Sequence, residues 1–263
     1  MITSILVTLL AGWGAGVVTG IIGASAATVV VPMLVTFLDY EAYQAIGVSL
    51  ATDVIASLVA ALTYAHNGRV KFRASLPMAA AAVVGVLIGS WGSTYIPSAS
   101  LGGATGIIIL LMGISFMRKP INVRAQAFKE RVDLSLFKRH SSVWSALFGL
   151  GIGLMCGTVG AGGGEAMSLI LLFVLDYPVH SAVGTSVLIM VFTAFTGAVG
   201  HSLYGPFPIS AALIGAAGGA IGAWMAARFA NLASEERLGK VIGAAFLVLG
   251  IITTVSELVL PHA

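Results

Sequence analysis

Gly157-Thr158-Val159-Gly160-Ala161-Gly162-Gly163-Gly164, followed by Glu165, is the densest glycine cluster of the chain, and it has a counterpart 137 positions earlier. That counterpart is Gly20-Ile21-Ile22-Gly23-Ala24-Ser25-Ala26-Ala27, followed by Thr28. The same shift lays Gly12, Gly14 and Gly16 onto Gly149, Gly151 and Gly153, Asp39-Tyr40 onto Asp176-Tyr177, and Gly47 and Ser49 onto Gly184 and Ser186. It still holds at Gly102, Gly106 and Gly113, which meet Gly239, Gly243 and Gly250. One gap-free register over a hundred residues marks an internal duplication. In an apolar chain, two related halves around a central site are the plan of many carriers.

The chain is apolar throughout. Of its 263 residues 58% are hydrophobic and 9% charged, with a mean hydropathy of +1.03. Soluble domains are roughly a quarter charged, so this composition reads as an integral membrane protein. Its apolar runs are long rather than alternating, which selects helices over a barrel. The single cysteine, Cys156, excludes an internal disulfide and a cysteine zinc cluster. The N-terminal run has no basic segment before it and continues apolar to Leu38, so it reads as a retained span rather than a cleaved signal.

Breaks in hydropathy give five segments per half. They are expected at 3–22, 27–38, 41–66, 72–95 and 98–117, then at 140–159, 164–175, 178–204, 209–232 and 235–255. The second of each set is about a dozen residues, too short to cross upright at 1.5 Å per residue. The chain then divides into a first membrane repeat (1–117), a basic linker (118–140) and a second repeat (141–263).

Charge orients the halves. Arg69, Lys71 and Arg73 follow the third segment, and Arg118, Lys119, Arg124, Lys129, Arg131, Lys138 and Arg139 fill the linker; the positive-inside rule places both in the cytoplasm. The equivalent of the first basic loop in the second half, Gly205-Pro206-Phe207-Pro208, is uncharged, whereas Arg228, Arg237 and Lys240 stand at the next turn. Inverting the second half puts all thirteen Lys and Arg on one face. The expected fold class is therefore an all-α polytopic membrane protein of two inverted-topology repeats, each of about five helical segments. It is expected as a multi-pass protein of the cell inner (cytoplasmic) membrane. With the basic residues explained by topology, no nucleic-acid partner is expected; a homo-oligomer is left open.

Each glycine within a helix costs roughly 1 kcal/mol relative to alanine, so three in succession read as a break. In hydrocarbon a break needs protein or a water-filled cavity to satisfy its backbone. A cavity is expected there. The short helix after each break presents unpaired N–H groups and the positive end of its dipole, and inversion aims the two starts, near Ser25 and Gly163, at each other. Two such ends make an anion site. Its expected lining is Gly23, Ser25, Thr28, Ser49, Thr52, Gly160, Gly162, Gly163, Gly164, Thr185 and Ser186, with Thr158 a further hydroxyl. The spaced Gly12, Gly16 and Gly20 read instead as close helix packing.

Two acids lie inside predicted spans, Asp53 and Glu165. An ionised carboxylate at such depth costs several kcal/mol, which points to proton coupling, against the plainer roles of a cap for Asp53 and a helix-start charge for Glu165. Their positions in the other copy are Met190 and Thr28. No histidine pair has metal spacing, and no Walker loop, nucleophile elbow or zinc-protease signature occurs. No cofactor, metal or enzymatic activity is expected.

The paired stretches GVVTGIIGASAATVVVPML (16–34) and GIGLMCGTVGAGGGEAMSLIL (151–171), with AIGVSLATD (45–53) and AVGTSVLIM (182–190), resemble the TauE/SafE sulfite exporter family over nearly the whole chain outside the linker. The resemblance implies a multi-pass transporter of small sulfur-containing anions such as sulfite, sulfoacetate or other organosulfonates. It points to Gly20, Gly23, Pro32, Gly47 and Ser49, and to Gly157, Gly160, Gly162, Gly163, Gly164, Gly184, Thr185 and Ser186. The chain departs from the pattern at Ser25-Ala26-Ala27, where glycines are expected, and at Leu169, opposite Pro32. A tighter first break follows from the first departure. The expected function is a secondary transporter working by alternating access. A non-transporting membrane anchor and an anion channel are the alternatives.

Overall fold

An apolar run as long as 2–22 can satisfy its backbone in hydrocarbon only as a helix, and helices are what the chain forms. The structure, a computed structural model, describes residues 2–93, 141–159, 163–204, 206–234 and scattered positions between 236 and 251. Eight helices lie in that part: α1 (Ile2–Ile22), α2 (Ala27–Leu38), α3 (Ala42–His66), α4 (Phe72–Ser93), α5 (Ser141–Val159), α6 (Gly163–Phe173), α7 (Val179–Tyr204) and α8 (Ile209–Leu232). No strand occurs among the described residues. Five of the helices, α1, α3, α4, α7 and α8, are long and apolar enough to cross a membrane. With 12 and 11 residues, α2 and α6 are not. The linker 118–140 and the segment expected at 98–117 lie outside the described residues, and the segment expected at 235–255 is described only in part.

Local chemistry sets the helix ends. Gly23 turns left-handed, with φ at +72°, and stops α1; its N–H still donates to Thr19 O at 2.9 Å, and the Thr19 hydroxyl donates to Ala24 O. Any side chain at that φ would be strained, which is why glycine stands there. The Asp-Tyr pairs close the short helices. Asp39 and Asp176 are left-handed, at φ 53° and 61°, and Tyr40 N–H and Tyr177 N–H reach back to Leu34 O and Leu171 O. Both bonds span six positions and close the chain back onto the last turn of the short helix.

The two halves exchange partners. Helix α1 packs along α8 of the other half, and α5 packs along α4. In the first seam Gly12, Gly16 and Gly20 face the backbone of Gly215, Gly219 and Ala223. In the second, Gly149, Gly153 and Gly157 face Met78, Ala82 and Val86, the positions 137 residues away in each case. A methyl at any of these six glycines would collide with the opposing main chain. Packing is thus what Gly12, Gly16 and Gly20 do, as expected. Helices α3 and α7 meet at the centre, and α2 and α6 nestle against α1–α3 and α5–α7 respectively.

The core is small-residue rich around Ile22, Tyr64, Met167, Leu171 and Ile189. Large apolar side chains such as Leu6, Leu10, Leu87, Phe195 and Leu213 face outward. Such an exterior suits acyl chains rather than water.

The seams predict opposite signs for two neighbouring substitutions on α5. Gly151 has open space where a Cβ would go, whereas a Cβ on Gly153 would meet the carbonyl of Ala82. Gly151→Ala should leave thermal stability in detergent unchanged or raised by up to about 1 kcal/mol. Gly153→Ala should lower it by about 1–3 kcal/mol. Equal melting temperatures for the two variants would contradict the backbone-on-backbone seam.

Candidate functional site: a carboxylate pair at the first glycine break

Ser25 stands in the four-residue interruption between α1 and α2, and three parts of the chain converge on it. From α3, the Asp53 carboxylate accepts the Ser25 hydroxyl at 2.6 Å and the Ala26 N–H at 2.7 Å. From α6, Glu165 Oε1 accepts the Ser25 N–H at 3.3 Å. The Ser25 hydroxyl oxygen also accepts from Ala27 N–H at 3.3 Å. Asp53 is 1% exposed, Glu165 3% and Ser25 3%. Asp53 therefore supplies the N-terminal cap of α2 that Ala26, lacking a polar side chain, cannot. Two short, charge-assisted bonds to one carboxylate are a strong cap.

Glu165 is held differently. Its Oε2 is buried and has no hydrogen-bond partner among the described residues. It sits in the first turn of α6, where a carboxylate is favoured by the helix dipole. Around the pair, α1, α2, α3, α5, α6 and α7 contain neither Lys nor Arg. No cationic side chain of these helices offsets the two acids.

The two breaks touch. The Cα of Gly164 lies against the carbonyl of Gly23, and a Cβ there would also meet Met190 Sδ. Met190 is the counterpart of Asp53, so a thioether stands at the second break where a carboxylate stands at the first. Gly163 lies against Cys156. At the first break, which carries Ser25-Ala26-Ala27 in place of glycines, Gly23 takes the left-handed turn; residues 160–162 of the second break, Gly160 and Gly162 among them, lie outside the described residues.

The remaining expected hydroxyls are spread out. Thr28 and Ser49 donate to Ser25 O and Ile46 O, Thr52 to Val48 O, and Ser186 to Val183 O, each a carbonyl three or four residues back. Ser186 is near the break, beside Gly23, whereas Thr52 sits in the seam against Gly215 and Gly219. Thr185 accepts from the Lys71 N–H at the basic loop. The structure brings together Gly23, Ser25, Thr28, Asp53, Gly163, Gly164, Glu165 and Ser186; it does not bring Thr52 or Thr185 to them, and the Ser49 hydroxyl bonds within α3.

At the first break Asp53 and Glu165 take the donors of Ser25 and Ala26 that were expected to face a cavity. A cleft of about 470 Å³ lies between the last turns of α3 and α8, lined by Leu62, His66, Asn67, Trp224 and Arg228 among others. Sequence reasoning missed three contributors. Tyr64, fully buried, donates its hydroxyl to Gly20 O and so anchors the end of α1. Ser57 and Ser168 bond the main-chain carbonyls of Asp53 and Glu165. A polar residue at a fully apolar helix position was the signal for Tyr64, whose counterpart is His201.

The family described as Sulfite exporter TauE/SafE matches residues 8–253. The probable membrane transporter protein YdhB of Bacillus subtilis (strain 168) is 25% identical over 227 residues, covering 86% of this chain and 91% of that protein. The probable membrane transporter protein YunE of the same organism is 28% identical over 217 residues, covering 77% and 80%. No solved structure matches significantly. With a multi-pass helical architecture, paired glycine breaks and a family match over nearly its whole length, the chain belongs to the sulfite exporter TauE/SafE family and is a membrane transporter.

Proposed function

We propose that this transporter is a secondary carrier of small sulfur-containing anions, sulfite, sulfoacetate or another organosulfonate, that couples their movement to protons through Glu165 and Asp53. The observation that carries the reading is the convergence of two buried carboxylates on Ser25 at a break in the membrane-spanning backbone. A helix start lined with N–H and hydroxyl donors suits an anion. Two acids beside it suit a proton, because neighbouring buried carboxylates resist being ionised together. The family description supplies the sulfur-containing class.

Alternating access is the mode of transport in this reading, and the seams support it. Each half is tied to the other by glycine seams on which helices can slide or rock, and the breaks lie where the halves meet. The basic linker and the loop at Arg69 lie on the cytoplasmic side of an inner membrane in this reading, and the second half is inverted. A non-transporting anchor has one observation in its favour, the burial of Ser25, Asp53 and Glu165 at the first break. It gives no reason for an unpartnered carboxylate oxygen in the core.

Purified protein in vesicles should move at least one of sulfite, sulfoacetate, thiosulfate, sulfate and methanesulfonate, and a pH gradient should change the rate. No flux for any of them would reject the anion-carrier reading. Inversion has its own test. In a Cys156→Ser background, cysteines placed at Gly68 and at its counterpart Gly205 should be labelled from opposite sides of the membrane by an impermeant maleimide. Labelling from the same side would mean parallel halves.

A further inference from the structure

The two carboxylates at Ser25 are bound unequally, and the inequality assigns them different tasks. Asp53 engages both oxygens, at 2.6 and 2.7 Å, with donors at the start of α2. Glu165 engages one oxygen, at 3.3 Å, with the Ser25 N–H, and its second oxygen has no partner among the described residues. A buried acceptor left unpaired costs about 1–3 kcal/mol, more when charged. Such an oxygen is a place for something that comes and goes.

We propose that Glu165 is an internal stand-in for the substrate anion, which a proton dislodges so that one proton and one anion enter the site together. This rests on the anion-carrier reading above and specifies its coupling. When ionised, the Glu165 carboxylate holds the Ser25 N–H. Protonation turns it into a carboxylic acid, and its bond to Ser25 N–H breaks. An oxygen of the incoming anion takes that N–H, and the new Glu165 O–H donates to the same anion. The site gains one proton and one anion; on release both depart and the carboxylate returns. Asp53 stays on Ser25 Oγ and Ala26 N–H throughout, and its part in the coupling is to position Ser25. The anion's place is the one that the Glu165 carboxylate leaves at the Ser25 N–H.

The surroundings leave Glu165 alone in this exchange. Among the described residues, the titratable groups recorded as interacting with its charge are Asp53 on α3 and Cys156 on α5. Helices α1 and α2 carry none, and the histidines of α7, His180 and His201, stand in its first and last turns. The hydrogen bond of His180 Nε2 is with Ala230 O and Ala233 O, and that of His201 Nδ1 with Gly197 O.

The test counts protons against anions. Vesicles carrying an internal pH dye are given whichever panel anion supports flux, and proton and anion movement are read together at clamped membrane potential. The expected ratio in Glu165→Gln is one proton per anion lower than in the unsubstituted protein, with flux still measurable and no longer responsive to the pH gradient. Equal ratios in the two proteins overturn the proposal and leave the carrier reading standing, whereas no flux in the unsubstituted protein defeats that reading itself. Should Glu165→Gln fail to fold, titration calorimetry of the unsubstituted protein with sulfate, in buffers of different ionisation enthalpy, serves instead. One proton taken up per anion bound is expected; none taken up overturns the proposal.

Discussion

A backbone N–H left without an acceptor in hydrocarbon costs several kcal/mol, and the structure is organised around one place where that demand cannot be met by the helix itself. The chain leaves helical geometry at Gly23 and resumes it at Ala27. Between them, Asp53 accepts the Ala26 N–H and the Ser25 hydroxyl, and Glu165 accepts the Ser25 N–H. These acids come from α3 of the first half and α6 of the second. The interruption is therefore satisfied only when both halves are assembled. This requirement explains the seams, since α1 and α5 must lie within backbone contact of α8 and α4 to enclose the breaks, and only glycine allows that approach.

Duplication gives this architecture its symmetry, and two substitutions take it away at the site. The seams repeat residue for residue in the 137 register, as do the Asp-Tyr helix stops. At the breaks the copies part: Asp53 faces one helix start and Met190 the other, and Glu165 answers to Thr28. A symmetric carrier would hold two equivalent sites. Here one helix start is capped by a carboxylate bonded at 2.6 and 2.7 Å, and the other has a thioether nearby and an acid bonded at 3.3 Å.

Much of the fold was legible because glycine and hydropathy act locally. The expected bounds of α2 and α8 coincide with the observed ones, and those of α1, α3, α5, α6 and α7 fall within two residues. Asp53 and Glu165 stood out as intramembrane acids for the same reason. Their meeting at Ser25 was not legible, because 112 positions separate them and only the packing of α3 against the partner half joins them. Thr52 and Thr185 were expected at the site on the strength of residue type alone. A hydroxyl in a helix has its own preceding turn as an acceptor, and helix rotation turns Thr52 into the seam, while Thr185 stands level with the basic loop. Hydropathy reports depth in the membrane, not the direction a side chain faces.

A carrier must open this packed junction to water during its cycle, and the chain holds a built-in reporter of that event. Cys156, the single cysteine, is 7% exposed and lies against Gly163 at the second break. The decisive measurement is its rate of reaction with a hydrophilic maleimide in native membranes, with and without the transported anion. Reaction in the folded protein, slowed several-fold by the anion, is what a junction that opens and binds there requires. A thiol that stays unreactive under every condition, yet labels fully once the protein is denatured, would mean that the breaks are a permanently closed core and that the anion passes elsewhere.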